Sequence, residues 1–342
     1  HGDEQAAIQK VTMARERISK EAAPYLAAPA VSFVSSGCTL LDLALGGGGW
    51  AESRICNIVG DKSSGKTLLA IEAAANFAIK YKKGRIKYRE VEAAFDKPYA
   101  ASLGMPIERV DFGDGFDTVE GFFEDLTEAV KCKDPTLYIL DSLDALSDRA
   151  EFERDLDEPT YGTDKARKLS QLFRRLVREM SASNLTLMII SQVRSKIGVS
   201  FGRTTTRSGG RALDFYCSQV VYLQHLSTIT RTIIDVKRPV ALEIKAKIDK
   251  NKVGLPLREV AFKLQFGYGV DDLTSCVDWL KEVKALKDIG ASDDKAARAY
   301  ITTVNRMDDA AANEALADLK GLVRKRWIDI ETGFLPKRQK YT

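Results

Sequence analysis

The sequence predicts an α/β fold: a mixed, mostly parallel central sheet flanked by helices. An N-terminal helix precedes it and a small α-rich domain follows. Three observations lead there. Apolar runs of strand length alternate with helical patterns through the middle of the chain, which gives parallel strands covered on both faces. The later strand-like runs follow one another across short links, so that part of the sheet is antiparallel or mixed. From about Asp271 onward only short helical patterns remain.

Residues 3 to about 27 read as one amphipathic helix, stopped near Pro24 and Pro29. With the extended "AVSFVSSG" that follows, it can dock on its own domain or on a neighbouring subunit. We assign 1–35 to subunit docking. The strand runs are "RICNIVG", "RIKYREVE", "TLYILDS", "LTLMIISQV", "SQVVYLQHL", "ALEIKAKIDKN" and "VAFKLQF". Helical patterns such as "GKTLLAIEAAANFAIKY" and "VEGFFEDLTEAVK" separate the early ones. These elements make a core over 36–270. "VDWLKEVKAL", "DDKAARAYITTVNRM" and "DAAANEALADLKGLVRKRWI" make a C-terminal domain over 271–342.

Composition narrows the function classes. A hydrophobic fraction of 44% with 29% charged residues is that of a globular protein with a full core. No apolar run approaches the ~20 residues of a membrane span. The first thirty residues carry no signal-peptide pattern, and His1-Gly2 resembles a tag scar. Cys38, Cys56, Cys132, Cys217 and Cys276 have no metal-ligand spacing and read as reduced thiols, so a cytoplasmic location is expected. His1 and His225 are the only histidines, which argues against a histidine triad or a histidine-rich metal site. A net charge of +4 says little about nucleic acid.

The run Gly60-Asp61-Lys62-Ser63-Ser64-Gly65-Lys66-Thr67, continued by Leu68, fits the G-x-x-x-x-G-K-[ST] phosphate loop. It follows a strand and opens a helix, the context that motif needs. Glycines let backbone amides turn toward phosphate oxygens, and the helix N-terminus adds positive potential. Lys66 reaches the β- and γ-phosphates of a nucleoside triphosphate in this reading, and the Thr67 hydroxyl binds Mg²⁺. Asp141, at the end of "TLYILDS", supplies the second metal-site oxygen. Glu90 and Glu92 alternate on one strand face, and either could orient an attacking water.

These runs, with "LYILDSLDAL", "IISQVRSKIGVSFG", "SGGRALDFY" and "KIDKNKVGLP", resemble the RecA recombinases of bacteria and phages, from about Ser36 to Gly269. The resemblance implies a RecA-like ATPase core. It places Glu92 at the catalytic glutamate, against Glu90. It places Asp96 and Tyr99 on adenine and Gln192 at the γ-phosphate sensor. Lys250 and Lys252 match the pair that reaches ATP on the adjacent subunit, whereas residue pattern alone favours solvated lysines.

The segment after Gln192 carries Arg194, Lys196, Arg203, Arg207 and Arg211 with no acid until Asp214, and glycines that include Gly198, Gly209 and Gly210. A loop this long in a compact core is usually functional. Its cations suit phosphates and Ile197 suits a wedge between bases. The family places its second DNA loop here. The first is expected after Asp141, where Arg167, Ser170 and Arg174 share a helix face at i, i+3, i+7. Tyr161 falls near the other base-step wedge, in a loop one residue longer than the usual pattern. Asp214 stands where the family has a basic residue, and the basic ending "GFLPKRQKYT" departs from the acidic tail of bacterial members, so the reading leans toward a phage-encoded relative.

The resemblance implies an ATP-dependent homologous-recombination protein. It would form helical filaments of its own copies on single-stranded DNA, capture homologous duplex and exchange strands. Single-strand-binding protein and loading mediators are further expected partners, and no membrane is. The rival readings on the same core are a motor or regulatory ATPase, such as a hexameric helicase, and a binding protein that has lost hydrolysis. The 192–210 segment with Lys250 and Lys252 argues against the first. The complete set Lys66, Thr67, Glu92 and Asp141 argues against the second.

Overall fold

The computed structural model describes residues 31–92, 95–147, 163–195, 205–207, 210–336 and 338. In chain order these begin with strand β1 (Phe33–Val34), helix α1 (Thr39–Ala44), β2 (Trp50–Ala51), β3 (Ile55–Gly60), α2 (Lys66–Lys80), β4 (Arg85–Glu90) and α3 (Lys97–Ser102). Then come β5 (Val110–Asp111), α4 (Val119–Val130), β6 (Thr136–Asp141), α5 (Thr163–Ser181), β7 (Leu185–Ser195), β8 (Thr205–Arg207) and α6 (Gly210–Tyr216). The last are β9 (Gln219–Ile233), β10 (Val236–Asn251), β11 (Glu259–Gln265), β12 (Gly269–Asp271), α7 (Asp272–Glu282), α8 (Asp294–Val304) and α9 (Asp309–Gly333).

The main sheet runs β12-β11-β10-β9-β3-β7-β6-β4-β5, with β8 paired to β7. The strands from β9 through β3, β7, β6 and β4 to β5 are parallel. β9 to β12 form antiparallel pairs, as the short links predict. The central strands β3, β6 and β7 are buried on both faces. One core cluster holds Ile58, Leu69, Phe77, Ile139 and Ile190. The other holds Val59, Phe122, Leu140, Phe173 and Ile189. Neighbouring residues of one strand thus point into opposite cores, as the period of two requires.

Aspartate or threonine caps start five of the described helices. Thr118 accepts from Gly121 N, Asp96 from Tyr99 N, Asp271 from Thr274 N, Asp293 from Ala296 N and Asp308 from Ala311 N, at 2.8–3.2 Å. Phe33–Thr342 fold as one unit, and Trp279, Leu319 and Val323 of the C-terminal helices join the first core cluster.

Two elements differ from the sequence reading. β4 ends at Glu90, so Glu92 lies in a bend beyond the strand and shares no strand face with Glu90. β9 and β10 extend well past the apolar runs that predicted them, to 15 and 16 residues. Their outer halves are exposed and held by cross-strand pairing, which leaves no apolar alternation to read. The segment 1–30, including the whole predicted N-terminal helix, lies outside the described residues. No helix among the described residues is long and apolar enough to cross a membrane.

Candidate functional site

The parallel strands bring one set of side chains to one edge. Gly60 is the register partner of Gln192 across β3–β7, and Glu90 is that of Asp141 across β4–β6. Gly60, Glu90 and Asp141 are the last residues of their strands and Gln192 lies level with Gly60, three residues before β7 ends, on the edge where open α/β sheets bind ligands.

The loop from β3 into α2 is built for close approach. A Cβ on Gly60 would come within 2.9 Å of the Leu223 carbonyl oxygen, so only glycine fits. Ser63 and Gly65 take φ of 57° and 86°, left-handed turns of the kind that fold successive amides toward one side. Leu264 of β11 packs against Gly65 where a side chain would sit. Ser64 Oγ donates to Asp61 O at 2.8 Å, and Lys66 Nζ donates to the same carbonyl at 2.5 Å. Burial lowers the Lys66 pKa, opposed by Asp141, Asp61, Asp144 and Glu92. An anion in this loop would give the ammonium a partner.

Asp141 Oδ2 accepts from Thr67 Oγ1 and from Tyr88 OH, both at 2.8 Å. Burial raises the Asp141 pKa, and these two bonds work against that rise; Glu92 and Glu90 add to it. The residues fit Mg²⁺: two hard oxygen groups already in contact, facing the phosphate loop, with more carboxylates near. A magnesium ion keeps several waters and takes few protein oxygens, so Thr67 and Asp141 with ATP oxygens suffice.

Glu92 Oε1 accepts from Ser142 Oγ at 2.6 Å and from Gln192 Nε2 at 3.0 Å. The Gln192 backbone N–H donates to Asp144 Oδ2 at 2.6 Å. The bend that carries Glu92 is tied back by its own N–H, which donates to Glu90 Oε1 at 2.9 Å. The carboxylates thus differ: Glu90 braces the backbone, whereas Glu92 is aimed by side chains from β7 and from the residue after β6.

A cleft of about 320 Å³ opens beside the phosphate loop, lined by Ser63 to Leu68, Ile71, Phe95, Asp96 and Tyr99. Asp96 and Tyr99 start α3, and Tyr99 is 36% exposed. One carboxylate oxygen of Asp96 caps the helix and the other is available to a ligand amine. Phe95 stacks at 4.5 Å from Tyr88 and at 5.6 Å from Phe112, which walls the cleft. Tyr88, Phe95, Ser142 and Asp144 were missed by the sequence reading. For Ser142 and Asp144 the adjacent "DSLD" was the available signal. Tyr88 and Phe95 carried none beyond aromatic character.

Lys250 and Lys252 lie elsewhere. Lys250 Nζ donates to Asp214 O and, at 2.8 Å, to Phe215 O; Lys252 Nζ donates to Phe215 O at 3.3 Å. Both lysines rest on the last carbonyls of α6, which favour cations. The Lys252 N–H donates to Ser218 O, and the Ser218 N–H to Ile55 O. Lys252 is therefore level with the start of β3, while the phosphate loop follows its end, roughly 17 Å away at ~3.3 Å per residue.

Of the expected DNA residues, Arg167 and Arg174 are exposed on α5 and Ser170 is half-buried between them. The opposite face of that helix buries Leu169, Leu172, Phe173 and Leu176. Arg194 lies on β7, Arg207 on β8, and Gly210 and Arg211 open α6. Ser195 and Thr205, which flank the segment 196–204, are register partners. Tyr161, Lys196, Ile197, Gly198, Arg203 and Gly209 lie outside the described residues.

Comparison with known proteins gives the family. Residues 9–271 match the RecA N-terminal domain. The chain is 32% identical to Protein RecA of Synechococcus sp. (strain CC9605) over 300 residues, 86% of this chain and 77% of that protein. It is 32% identical to Protein RecA of Nostoc punctiforme (strain ATCC 29133 / PCC 73102) over 300 residues, 86% of this chain and 80% of that protein. It is 35% identical to Protein RecA of Trichodesmium erythraeum (strain IMS101) over 262 residues, 76% of this chain and 70% of that protein. A crystal structure of the RadB recombinase shares the fold, with a TM-score of 0.51 at 19% identity over 70% of this chain and 98% of that one. The phosphate loop, the Glu92–Gln192 pair and these matches together place the chain in the RecA family.

Proposed function

We propose that this chain is an ATP-dependent recombination protein that assembles into helical filaments on single-stranded DNA and exchanges strands with a homologous duplex. The observation that carries the reading is Glu92. It stands beyond β4, bonded by Ser142 and Gln192, at the edge shared with Lys66, Thr67 and Asp141. Bound Mg²⁺ would neutralise the β- and γ-oxygens of ATP. Lys66 leaves Asp61 O for the phosphates, Asp96 and Tyr99 hold the base, and Glu92 orients water.

The place of Lys250 and Lys252 supports assembly. They stand at the far end of β3 from their own phosphate loop and present their ammonium groups beside α6. A neighbouring copy that brings its phosphate loop to this end would receive both cations, in the manner of an arginine finger. Arg167 and Arg174, with the segment that opens after Ser195, hold DNA through its backbone, so base pairing reads the sequence. Rates of ATP hydrolysis with and without single-stranded DNA test this reading. Stimulation supports it, and a rate indifferent to DNA contradicts it.

A further inference from the structure

Tyr88 places a hydroxyl inside an apolar core. By alternation Tyr88 and Glu90 share one face of β4, and their register partners Ile139 and Asp141 share the matching face of β6. The Tyr88 ring is fully buried in the first core cluster, where phenylalanine would fill the same space. A buried hydroxyl is costly unless it is hydrogen-bonded. Among the described residues its one hydrogen bond goes to Asp141 Oδ2, at 2.8 Å.

That oxygen is doubly held, because Thr67 Oγ1 donates to the same Oδ2, also at 2.8 Å. Two donors occupy both lone pairs of Oδ2 and leave Oδ1 for a divalent ion or one of its waters. The donors are not equivalent. Thr67 Oγ1 is itself a proposed ligand, so its position follows the ion. Tyr88 is anchored in the core and is no ligand. The carboxylate torsion of aspartate is intrinsically broad, so a bond from a fixed donor decides which oxygen is left to the ion.

The Tyr88 ring is held in turn by the wall of the base cleft. Its centroid lies 4.5 Å from that of Phe95 and 6.1 Å from that of Phe112, and Phe95 and Phe112 are 5.6 Å apart. Tilted pairs at such distances are mutually favourable. Phe95 lines the cleft beside Asp96 and Tyr99. Lys97, in the first turn of α3, sits with Nζ over the Phe112 ring at 4.2 Å. Tyr88 thus touches the cleft wall with its ring and the metal-site carboxylate with its hydroxyl.

We infer that Tyr88 is a positioning residue for the divalent ion: its phenol fixes the Asp141 carboxylate, and Phe95 sets where that phenol stands. The inference rests on the ATP and Mg²⁺ reading above and is independent of DNA. It makes the metal site sensitive to the base cleft through one hydroxyl. A hydrogen-bond partner of a metal-ligating carboxylate commonly governs metal affinity by about 10–100-fold.

The test is Mn²⁺ binding to the full chain, held in excess over a non-hydrolysable ATP analogue and read from the electron paramagnetic resonance signal of free Mn²⁺. Tyr88→Phe should raise the half-saturating Mn²⁺ concentration by about tenfold or more, while the affinity for the analogue in EDTA stays within about twofold of wild type. The EDTA value shows that the variant is folded and its cleft intact. Phe95→Leu should raise the Mn²⁺ concentration by about threefold, the worth of one aromatic pair. Added to Tyr88→Phe it should change little, because residues on one path are not additive. Unchanged Mn²⁺ binding in Tyr88→Phe overturns the inference. So does a loss of analogue affinity in EDTA as large as the loss of Mn²⁺ affinity, which makes Tyr88 a general support of the fold. Full additivity of the two variants overturns the part given to Phe95. A wild type that holds the analogue no tighter with Mn²⁺ than in EDTA removes the metal-site reading and the inference with it. The Mn²⁺ defect in Tyr88→Phe, found together with a wild-type ATP hydrolysis indifferent to DNA, sustains the inference and sinks the recombination reading.

Discussion

The side-chain amide of Gln192 donates to Glu92 Oε1 at 3.0 Å, across a hundred residues of sequence. Gln192 belongs to β7, whose last residue Ser195 opens the segment 196–204. The residue proposed to orient water is therefore bonded to the strand that leads into the proposed DNA loop. A neutral amide can keep this bond or turn to a phosphate, which gives two discrete arrangements. Gln192→Ala should leave the basal ATPase rate within about threefold but abolish most of its stimulation by single-stranded DNA. The ratio of rates with and without DNA reads the effect, and a wild-type ratio would show that the bond carries no coupling.

Glu92 and Glu90 should separate by substitution. Glu92→Gln keeps the shape but loses the carboxylate, so turnover should fall by about 10²-fold or more while nucleotide binding persists. Glu90→Gln keeps an oxygen that can accept from the Glu92 N–H and should stay near wild type. Ser142→Ala removes one of the two bonds on Glu92 Oε1. It should lower kcat by about tenfold with KM unchanged, the mark of a positioning residue. A loss in KM alone would place Ser142 with the nucleotide instead.

Action in trans is open to a mixing experiment. Lys250→Ala/Lys252→Ala should bind nucleotide as wild type does and lose DNA-stimulated hydrolysis. Lys66→Ala should lose nucleotide binding. Filaments mixed from the two contain interfaces with an intact phosphate loop facing intact lysines, so some activity should return. With co-assembly shown by sedimentation, the absence of recovery at every ratio argues that the lysines act within their own chain.

Acid stability should be governed in part by Asp125. Its carboxylate accepts from Arg89 Nε and Tyr138 OH at 2.7 Å, with Lys87 at 3.0 Å. Burial alone would raise its pKa from the ordinary 3.8, but the bonds from Arg89, Tyr138 and Lys87 outweigh burial and hold it at about 2. The folded value is depressed, so the stabilisation is complete above about pH 4 and fades as pH falls through about 2. Asp125→Asn should cost about 2 kcal/mol at neutral pH, since Arg89 keeps only Asp111. The gap to wild type in urea midpoint should close between pH 4 and 2. A constant gap would mean that shape, and not charge, sets the loss.

Much of this was legible in the residues. The phosphate loop could be read because glycine, lysine and threonine at fixed offsets have no cheaper explanation between a strand and a helix. Asp141 followed, since four apolar residues place it at a strand end. The choice of Glu92 over Glu90 was not legible in the chemistry, because alternation put both on one face. The structure separates them through a strand that stops at Glu90, and strand ends depend on neighbours. Ser142 and Tyr88 were hidden for the same reason: each acts through a residue distant in sequence. The outer halves of β9 and β10 were missed because an exposed ribbon carries no burial pattern, only threonines and β-branched residues.

The central claim is that ATP held at this edge drives exchange of DNA strands. The most direct measurement incubates the protein with a circular single strand and a homologous linear duplex, and follows joint molecules and displaced strand. The account predicts products with ATP and Mg²⁺, none when ATP is omitted, and none with a duplex of unrelated sequence. DNA-stimulated ATP hydrolysis without any strand transfer would contradict it and leave a RecA-family ATPase with a different task.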